Sequence, residues 1–96
     1  MVKGTTSTGF EFEYDERRLD DVRYVDVLAV ACDDEVSDLD RIKATSALTG
    51  MLLGKELKQA LYEHIGASHD GRVPPAELNQ QLSEIMAAAR RGAEKN

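Results

Sequence analysis

The sequence is poor in several residue types, and each scarcity excludes a class of protein. It has a single cysteine, Cys32, so no disulfide can form within the chain and a reducing cytoplasm is the expected environment. Aromatic residues make up 5% and tryptophan is absent, so the core must be mostly aliphatic. No apolar run approaches the roughly 18–20 residues that cross a bilayer, and no signal peptide opens the chain. The sequence therefore predicts a soluble, intracellular protein.

Basic side chains are scarce in the first part of the chain. Residues 1–40 carry four basic and twelve acidic side chains, whereas residues 41–96 carry eight basic and six acidic ones. The net charge of −6 disfavours nucleic acid and anionic lipid as partners, and an acidic front half suits a basic protein surface. The same charge also serves solubility. With 96 residues, of which 42% are hydrophobic, the chain is expected to form a single domain over residues 1–96.

The first fourteen residues predict a β-hairpin arm over residues 2–14. Residues 10–14 alternate apolar and acidic side chains, which is the period of a strand with one dry face. Gly9 can supply the positive φ of a tight turn before this strand. An isolated hairpin is marginal in water, so Phe10, Phe12 and Tyr14 must pack on the helices or on another chain. We therefore predict these three residues, with the free strand edge, as a site of partner binding or oligomerisation.

The rest of the chain predicts about four short helices in one small core over residues 20–91, with residues 93–96 as a frayed tail. Asp20 and Asp21 predict the start of the first helix, and Ser37 and Asp38 are suitable caps for the second. Gly54 interrupts the second helical pattern, and Gly66 and Gly92 are expected to end the last two helices. The predicted apolar faces are Val22, Val25, Leu28, Ala29 and Cys32; Leu39, Ile42, Ser46, Thr49, Leu52 and Leu53; Leu57, Ala60, Leu61, His64 and Ile65; and Leu78, Leu82, Ile85, Met86 and Ala89. The predicted fold class is thus mainly α with an N-terminal hairpin.

No group of residues has the spacing of a catalytic or cofactor site. Cys32 lies on a predicted apolar face before a run of acids, so we interpret it as a buried small hydrophobe. Ser68, His69 and Asp70 have the residue types of a catalytic triad, but contiguous residues cannot converge on one another. No phosphate loop, serine-hydrolase elbow or HExxH motif occurs. We therefore predict no catalytic residues, no cofactor and no enzymatic activity.

One loop has a partial likeness to a calcium site. Aligning Gly71 with the glycine of an EF-hand loop places Asp70 at position 5 and Glu77 at position 12. Gly66 then stands where an aspartate is needed, and the loop contains two prolines. A small helical calcium-binding module using Asp70 and Glu77 is therefore one alternative. A plain connection between two helices, with Asp70 bonded to its own turn, is the other interpretation.

A further alternative is a protein–protein adaptor module, such as a transcription adaptor or anti-repressor. It would use the helix predicted over residues 75–91. Two adjacent arginines at the end of this helix are too few basic groups to bind DNA, so the target would be a protein.

The order of segments resembles the tail assembly chaperones of long-tailed phages and prophages of Gram-positive bacteria. TSTGFEFEYDE at residues 6–16 is similar to the family's "SGFEFEID" strand, and LDD at residues 19–21 to its acidic helix start. LLGKELKQALYEHI at residues 52–65 is similar to its "LLG…QxxALxEHL" stretch, and DGRVP at residues 70–74 to the turn before its last helix. The likeness runs in order over most of residues 6–89. The chain departs from the family in its valine-rich first helix and in residues 36–50, where no motif matches.

The resemblance implies a non-enzymatic assembly factor of the host bacterial cytoplasm. Such chaperones coat the long helical tape-measure protein before tail-tube subunits polymerise around it. The implied partner is the tape-measure protein, with a possible homo-oligomer and neither nucleic acid nor membrane. In many phages a programmed frameshift also gives a longer form. The resemblance assigns no individual binding residue.

Overall fold

A hairpin followed by helices forms the described part of the chain. The computed structural model describes the backbone of residues 1–94 and the side chains of residues 1–90. The elements over this range are β1 (Val2–Thr5), β2 (Glu11–Tyr14), a 3-10 turn (Glu16–Leu19), α1 (Val22–Ala31), α2 (Asp38–Leu53), α3 (Lys55–Gly66) and α4 (Pro75–Glu94). The mainly α fold with an N-terminal hairpin is thus confirmed.

The hairpin is antiparallel and closes through the predicted turn. Val2 pairs with Tyr14 and Thr5 with Glu11, and the amide of Gly9 donates to the carbonyl of Thr6 at 2.9 Å. Gly9 has a φ of +94°, which a glycine adopts without the strain that a Cβ would bring. The turn chemistry in the sequence therefore fixes the register of the hairpin.

The dry face of the hairpin is part of the chain's own core. Phe10, Phe12 and Tyr14 are 6%, 5% and 2% exposed, and the strands pack on α2 and α4. Gly4 leaves room for the Phe12 ring, because a Cβ at Gly4 would lie 2.8 Å from Cζ of that ring. The buried residues that complete this cluster are Tyr24, Leu48, Leu52, Leu53, Leu61, Ile65, Leu78, Leu82, Ile85 and Ala88.

Polar contacts bind the hairpin to the helices at both of its ends. In the turn, the Ser7 amide and hydroxyl donate to the Glu84 carboxylate at 2.6 and 2.8 Å. At the end of β2, the Tyr14 hydroxyl donates to the carbonyl of Ile85 at 2.9 Å. The Thr8 hydroxyl also lies 3.0 Å from Nε2 of His64. The hairpin is therefore anchored to α3 and α4 as well as packed on the core.

Side-chain caps begin the helices where the sequence predicted them. Asp21 accepts from the Arg23 amide at the start of α1, and Ser37 accepts from the Asp40 amide at the start of α2. The 3-10 turn after Asp15, which the sequence analysis did not predict, positions Arg18. The Arg18 guanidinium donates to the Leu52 carbonyl at 3.0 Å and so satisfies one of the free carbonyls at the end of α2.

The predicted apolar face of α1 is wrong. Tyr24 is buried and Val27 and Leu28 are partly buried, whereas Val22 and Val25 are 75% and 52% exposed. Apolar side chains surround α1 on several sides, so periodicity alone does not choose a face. The large Tyr24 ring gains most from burial, and its burial turns the valines outward. Cys32 is accordingly exposed at the end of α1, and not buried as predicted.

The predicted face of α2 is correct only in its second half. Leu52, Leu53 and Thr49 are buried, but Leu39 and Ile42 at the N-terminal end are 66% and 39% exposed. The start of α2 therefore extends beyond the core. The buried hydroxyl of Thr49 has a hydrogen-bond partner within α2. Its Oγ1 donates to the Thr45 carbonyl at 2.7 Å. Ala60 of α3, also predicted on a core face, is exposed.

One predicted helix end is confirmed and one is wrong. Gly66 is the last residue of α3, as predicted, and the positive φ values of the following turn belong to Asp70 and Gly71. A Cβ at Gly66 would lie 3.3 Å from the Gly71 backbone, so the glycine there serves a close approach. Helix α4 continues through Gly92 to Glu94, since a single glycine costs a helix only about 1 kcal/mol. Of the predicted tail, residues 95–96 lie outside the described residues.

Candidate partner-binding groove

An apolar groove lies between the α1–α2 pair and α4. It is created because α1 packs mainly on α2 and makes little contact with α4. Its larger part, the inner pocket, has a volume of about 450 Å³. The inner pocket is lined mainly by Tyr24, Leu28, Leu48, Leu82 and Met86. This volume is within the range of small-ligand sites, and the lining is apolar enough to receive large side chains.

A second cavity of about 250 Å³, the outer pocket, continues the groove. The two pockets share Ala31, Thr45 and Asn79 in their walls, so they adjoin. Ile42 and Leu78 provide apolar surface in the outer pocket. Together the pockets form one continuous groove that runs beside α4.

Exposed apolar side chains are concentrated in one segment of the chain, and one of them, Ile42, lines the groove. We name residues 22–42, which comprise α1, the following loop and the first turn of α2, the α1–α2 arm. Among the described side chains, the large hydrophobic residues that are exposed lie in this arm, apart from Met1 at the chain terminus. They are Val22, Val25, Val30, Leu39 and Ile42. Apolar surface gathered in one segment is typical of an interaction site, whereas scattered exposed residues are not.

One buried polar atom in the groove lining lacks a partner. Tyr24 is 4% exposed, yet its hydroxyl makes no hydrogen bond. Burial raises the pKa of Tyr24, with the nearby Cys32 as a lesser cause. Burial also raises the pKa of Tyr14 to about 12, so both hydroxyls stay protonated at neutral pH. The two tyrosines differ in that the Tyr14 hydroxyl has the Ile85 carbonyl as its acceptor.

This difference predicts opposite effects of the same substitution. Tyr14→Phe is expected to lower the free energy of unfolding by about 1–2 kcal/mol, because it removes the bond to Ile85 and leaves a buried carbonyl with one partner fewer. Tyr24→Phe is expected to leave stability unchanged or to raise it by about 1 kcal/mol, because it removes an unsatisfied hydroxyl. Urea unfolding of both variants measures the difference. Equal destabilisation of both would contradict the hydrogen bonding described here.

The aromatic residues predicted for partner binding lie away from this groove. Phe10, Phe12 and Tyr14 are covered by the chain's own helices, so their rings are core residues and are not available to a partner. Of the predicted interaction site, the backbone edge of the strand is the part that a partner could still contact. Oligomerisation through the free strand edge stays a prediction.

The calcium-like loop has the geometry of a turn. Asp70 is exposed with a φ of +59°, and the Gly71 amide donates to the Gly66 carbonyl at 2.8 Å. Nδ1 of His69 lies 2.8 Å from the Ile65 carbonyl, so this imidazole is directed at its own helix. Among the side chains of residues 1–90, no group of three or more His, Cys, Asp or Glu is placed to hold a metal ion, and Asp70 and Glu77 therefore belong to no such group.

The groove was not predicted, because the apolar pattern of α1 was interpreted as a single face. Val22, Val25, Val27, Leu28 and Val30 occur within nine positions. This is more apolar surface than a single face of a ten-residue helix needs, and the excess was the available signal that some of these side chains are exposed. The contribution of Asn79 and Ala31 carried no signal in the sequence, since it depends on how α1 and α4 are placed.

Comparisons with protein-family models, with curated proteins and with solved structures find no significant match for this chain. Across the part of the chain that the structure describes, none of the helices combines the length and apolar character of a membrane span.

Proposed function

We propose that this protein is a non-enzymatic tail assembly chaperone of a long-tailed phage or prophage. In this proposal it binds the helical tape-measure protein in the bacterial cytoplasm and keeps it soluble until the tail tube assembles. The proposal is based on the resemblance of four ordered segments over residues 6–89. Its structural support is independent of that resemblance and comes from the groove.

The observation that carries the proposal is an open apolar groove, one wall of which is formed by the α1–α2 arm. The inner and outer pockets adjoin along α4, and Ile42 of the α1–α2 arm lines the outer one. Amphipathic helices bind such grooves by inserting apolar side chains at helical spacing. A tape-measure protein is a long helical chain whose apolar stripes need covering, so it supplies ligands of this form.

The character of the groove suits temporary binding. Large, enclosed hydrophobic interfaces belong to permanent complexes, whereas small sites give weak contacts that are released readily. Many copies bound along one long helix would cover it without any single tight site. The net charge of −6 on each copy would keep the coated complex from aggregating.

The test is whether the groove holds the tape-measure protein in solution. The partner to test is the tape-measure protein of the same genome, and co-expression followed by centrifugation measures its soluble fraction. We expect the wild-type chain to keep it in the supernatant. Ala31→Trp and Asn79→Trp are expected to reduce binding at least about tenfold, because each places an indole in the wall that both pockets share.

The matched control places the same indole elsewhere. Ala60→Trp changes an exposed residue of α3, which lines neither pocket, and should bind like the wild type. Circular dichroism of each variant checks that the helices are intact. The proposal fails if the wild-type chain neither binds nor solubilises the tape-measure protein of its own genome.

A further inference from the structure

The two walls of the groove differ in charge. The α1–α2 arm has six acidic side chains, all exposed, which are Asp26, Asp33, Asp34, Glu35, Asp38 and Asp40. Its two basic side chains are engaged within the chain, because Arg23 pairs with Asp21 and Arg41 pairs with Asp38. Arg41 also donates to the carbonyls of Asp33 and Val36, so its guanidinium is directed at the loop. Asp38 and Arg41 line the outer pocket as an ion pair, and the other five acids lie on the arm outside the two pocket linings, so the arm as a whole is negatively charged.

The opposite wall carries no comparable charge. From α4, the polar residues that line the pockets are Asn79, Ser83 and Arg90, two of them neutral and one basic. The Glu84 carboxylate of the same helix is engaged by the hairpin turn through Ser7. Counted in the same way, the described side chains of α4 carry the acids Glu77 and Glu84 and the base Arg90, whereas the arm carries six acids and two bases. The arm is therefore the more acidic of the two walls.

From this asymmetry we infer that the groove binds an amphipathic helix whose apolar stripe is bordered by lysines or arginines on one side. Docking such a helix places its basic row along the acidic arm and its neutral side along α4. Charge complementarity of this kind fixes orientation and excludes partners of the wrong sign. The inference rests on the proposed function and identifies the segments of the partner that the chaperone selects.

A second copy of this chain is a poor occupant by the same argument. A two-fold symmetric pair buries the same patch of each copy, so both acidic arms would lie in one interface. Each copy also carries a net charge of −6, which opposes close approach. A basic helix relieves this repulsion, whereas a second copy adds to it.

The two pockets also indicate the spacing of the apolar anchors. Because they share Ala31, Thr45 and Asn79, their centres are neighbours along the groove. Side chains at i and i+4 of a helix are neighbours on one face, so one large residue for each pocket, one turn apart, fits this arrangement. The inner pocket, at about 450 Å³, takes the larger of the two, for example a tyrosine.

Synthetic helical peptides test the inference directly. All three peptides carry Tyr and Leu anchors at positions i and i+4 of an apolar stripe. The first peptide has lysines along one border of this stripe, and the second has glutamates at the same positions. The third has the lysines on the opposite face of the helix, which is directed to solvent. Calorimetric titration of the full chain measures the affinities. We expect the lysine-border peptide to bind at least about tenfold more tightly than the glutamate peptide at low salt, with the difference shrinking at high salt. The solvent-face peptide should fall between them.

A variant with fewer acids in the α1–α2 arm tests whether this arm causes the preference for the lysine-border peptide. Asp33→Asn, Asp34→Asn and Glu35→Gln together are expected to weaken binding of the lysine-border peptide by about tenfold and to reduce its salt dependence. The matched control neutralises three exposed acids elsewhere, with Glu11→Gln, Glu13→Gln and Glu56→Gln. It changes the net charge equally but should bind like the wild type apart from a small general loss.

The outcomes separate this inference from the proposed function. Equal binding of the lysine and glutamate peptides overturns the charge selectivity, as does equal weakening by the arm variant and its control. If the tape-measure protein is still solubilised in that case, the proposed function stands without this inference. If light scattering shows a dimer that Asn79→Trp abolishes, while no peptide binds, the occupant is a second copy and the inference is wrong. If neither peptides nor tape-measure protein bind, both fail.

Discussion

Phe12→Asp is expected to unfold the domain. Phe12 is 5% exposed, its ring packs over Gly4 and it stacks with Tyr14 at a centroid distance of 6.1 Å. Loss of a buried phenylalanine alone costs about 3–5 kcal/mol, and a carboxylate buried without a partner adds several more. A domain of this size has a total stability of roughly 5–15 kcal/mol. The substitution therefore removes most or all of it.

The measurement is the far-ultraviolet circular dichroism of the purified variant, with urea unfolding where a folded fraction remains. Glu11→Ala is the control, since Glu11 neighbours Phe12 on the same strand but is exposed. It should change the free energy of unfolding by no more than about 0.5 kcal/mol. If Phe12→Asp keeps the helices and only reduces oligomerisation or partner binding, the hairpin is a separate arm with a contact surface and not part of the core.

Leu52→Ala is expected to have the second largest effect. Leu52 has no exposed surface and lies in the central cluster with Leu48, Leu61 and Ile85. Its truncation removes apolar contacts and leaves a cavity, and buried Leu→Ala substitutions cost about 2–5 kcal/mol. We expect a loss of about 3–4 kcal/mol in the free energy of unfolding, with an unchanged dependence on urea concentration.

The control is the same substitution on the same helix. Leu39 lies on the apolar face that the sequence predicts for α2, yet it is 66% exposed. Leu39→Ala should therefore alter stability by no more than about 0.5 kcal/mol. Similar losses for Leu39 and Leu52 would mean that the start of α2 is buried after all, and would remove one of the exposed residues on which the proposed interaction surface depends.

The structural features that were predicted correctly from the sequence are those that depend on residues close together in the chain. The strand alternation of residues 10–14, the Gly9 turn and the caps at Asp21 and Ser37 were all predicted, because each depends on residues a few positions apart. The helix end at Gly66 was predicted correctly, whereas the end at Gly92 was wrong, because glycine permits a helix to end without requiring it.

The groove could not be predicted from the same kind of signal. Helix α1 offers apolar residues on several sides, and burial of the Tyr24 ring against the core selects which side faces inward. Cys32 and Val25 become exposed as a consequence of that choice. The pockets then arise from the separation of α1 and α4, which no pattern within either helix encodes.

The sequence by itself determined the hairpin, the starts of the helices, the acidic front half and the resemblance to a chaperone family. These properties follow from composition, from short-range backbone preferences and from order along the chain. Only the tertiary structure decided that Phe10, Phe12 and Tyr14 are core residues and that the α1–α2 arm is the exposed apolar surface. The reason is that an apolar side chain can be buried by its own chain or by a partner. Which of these happens depends on the packing of elements that are distant in sequence.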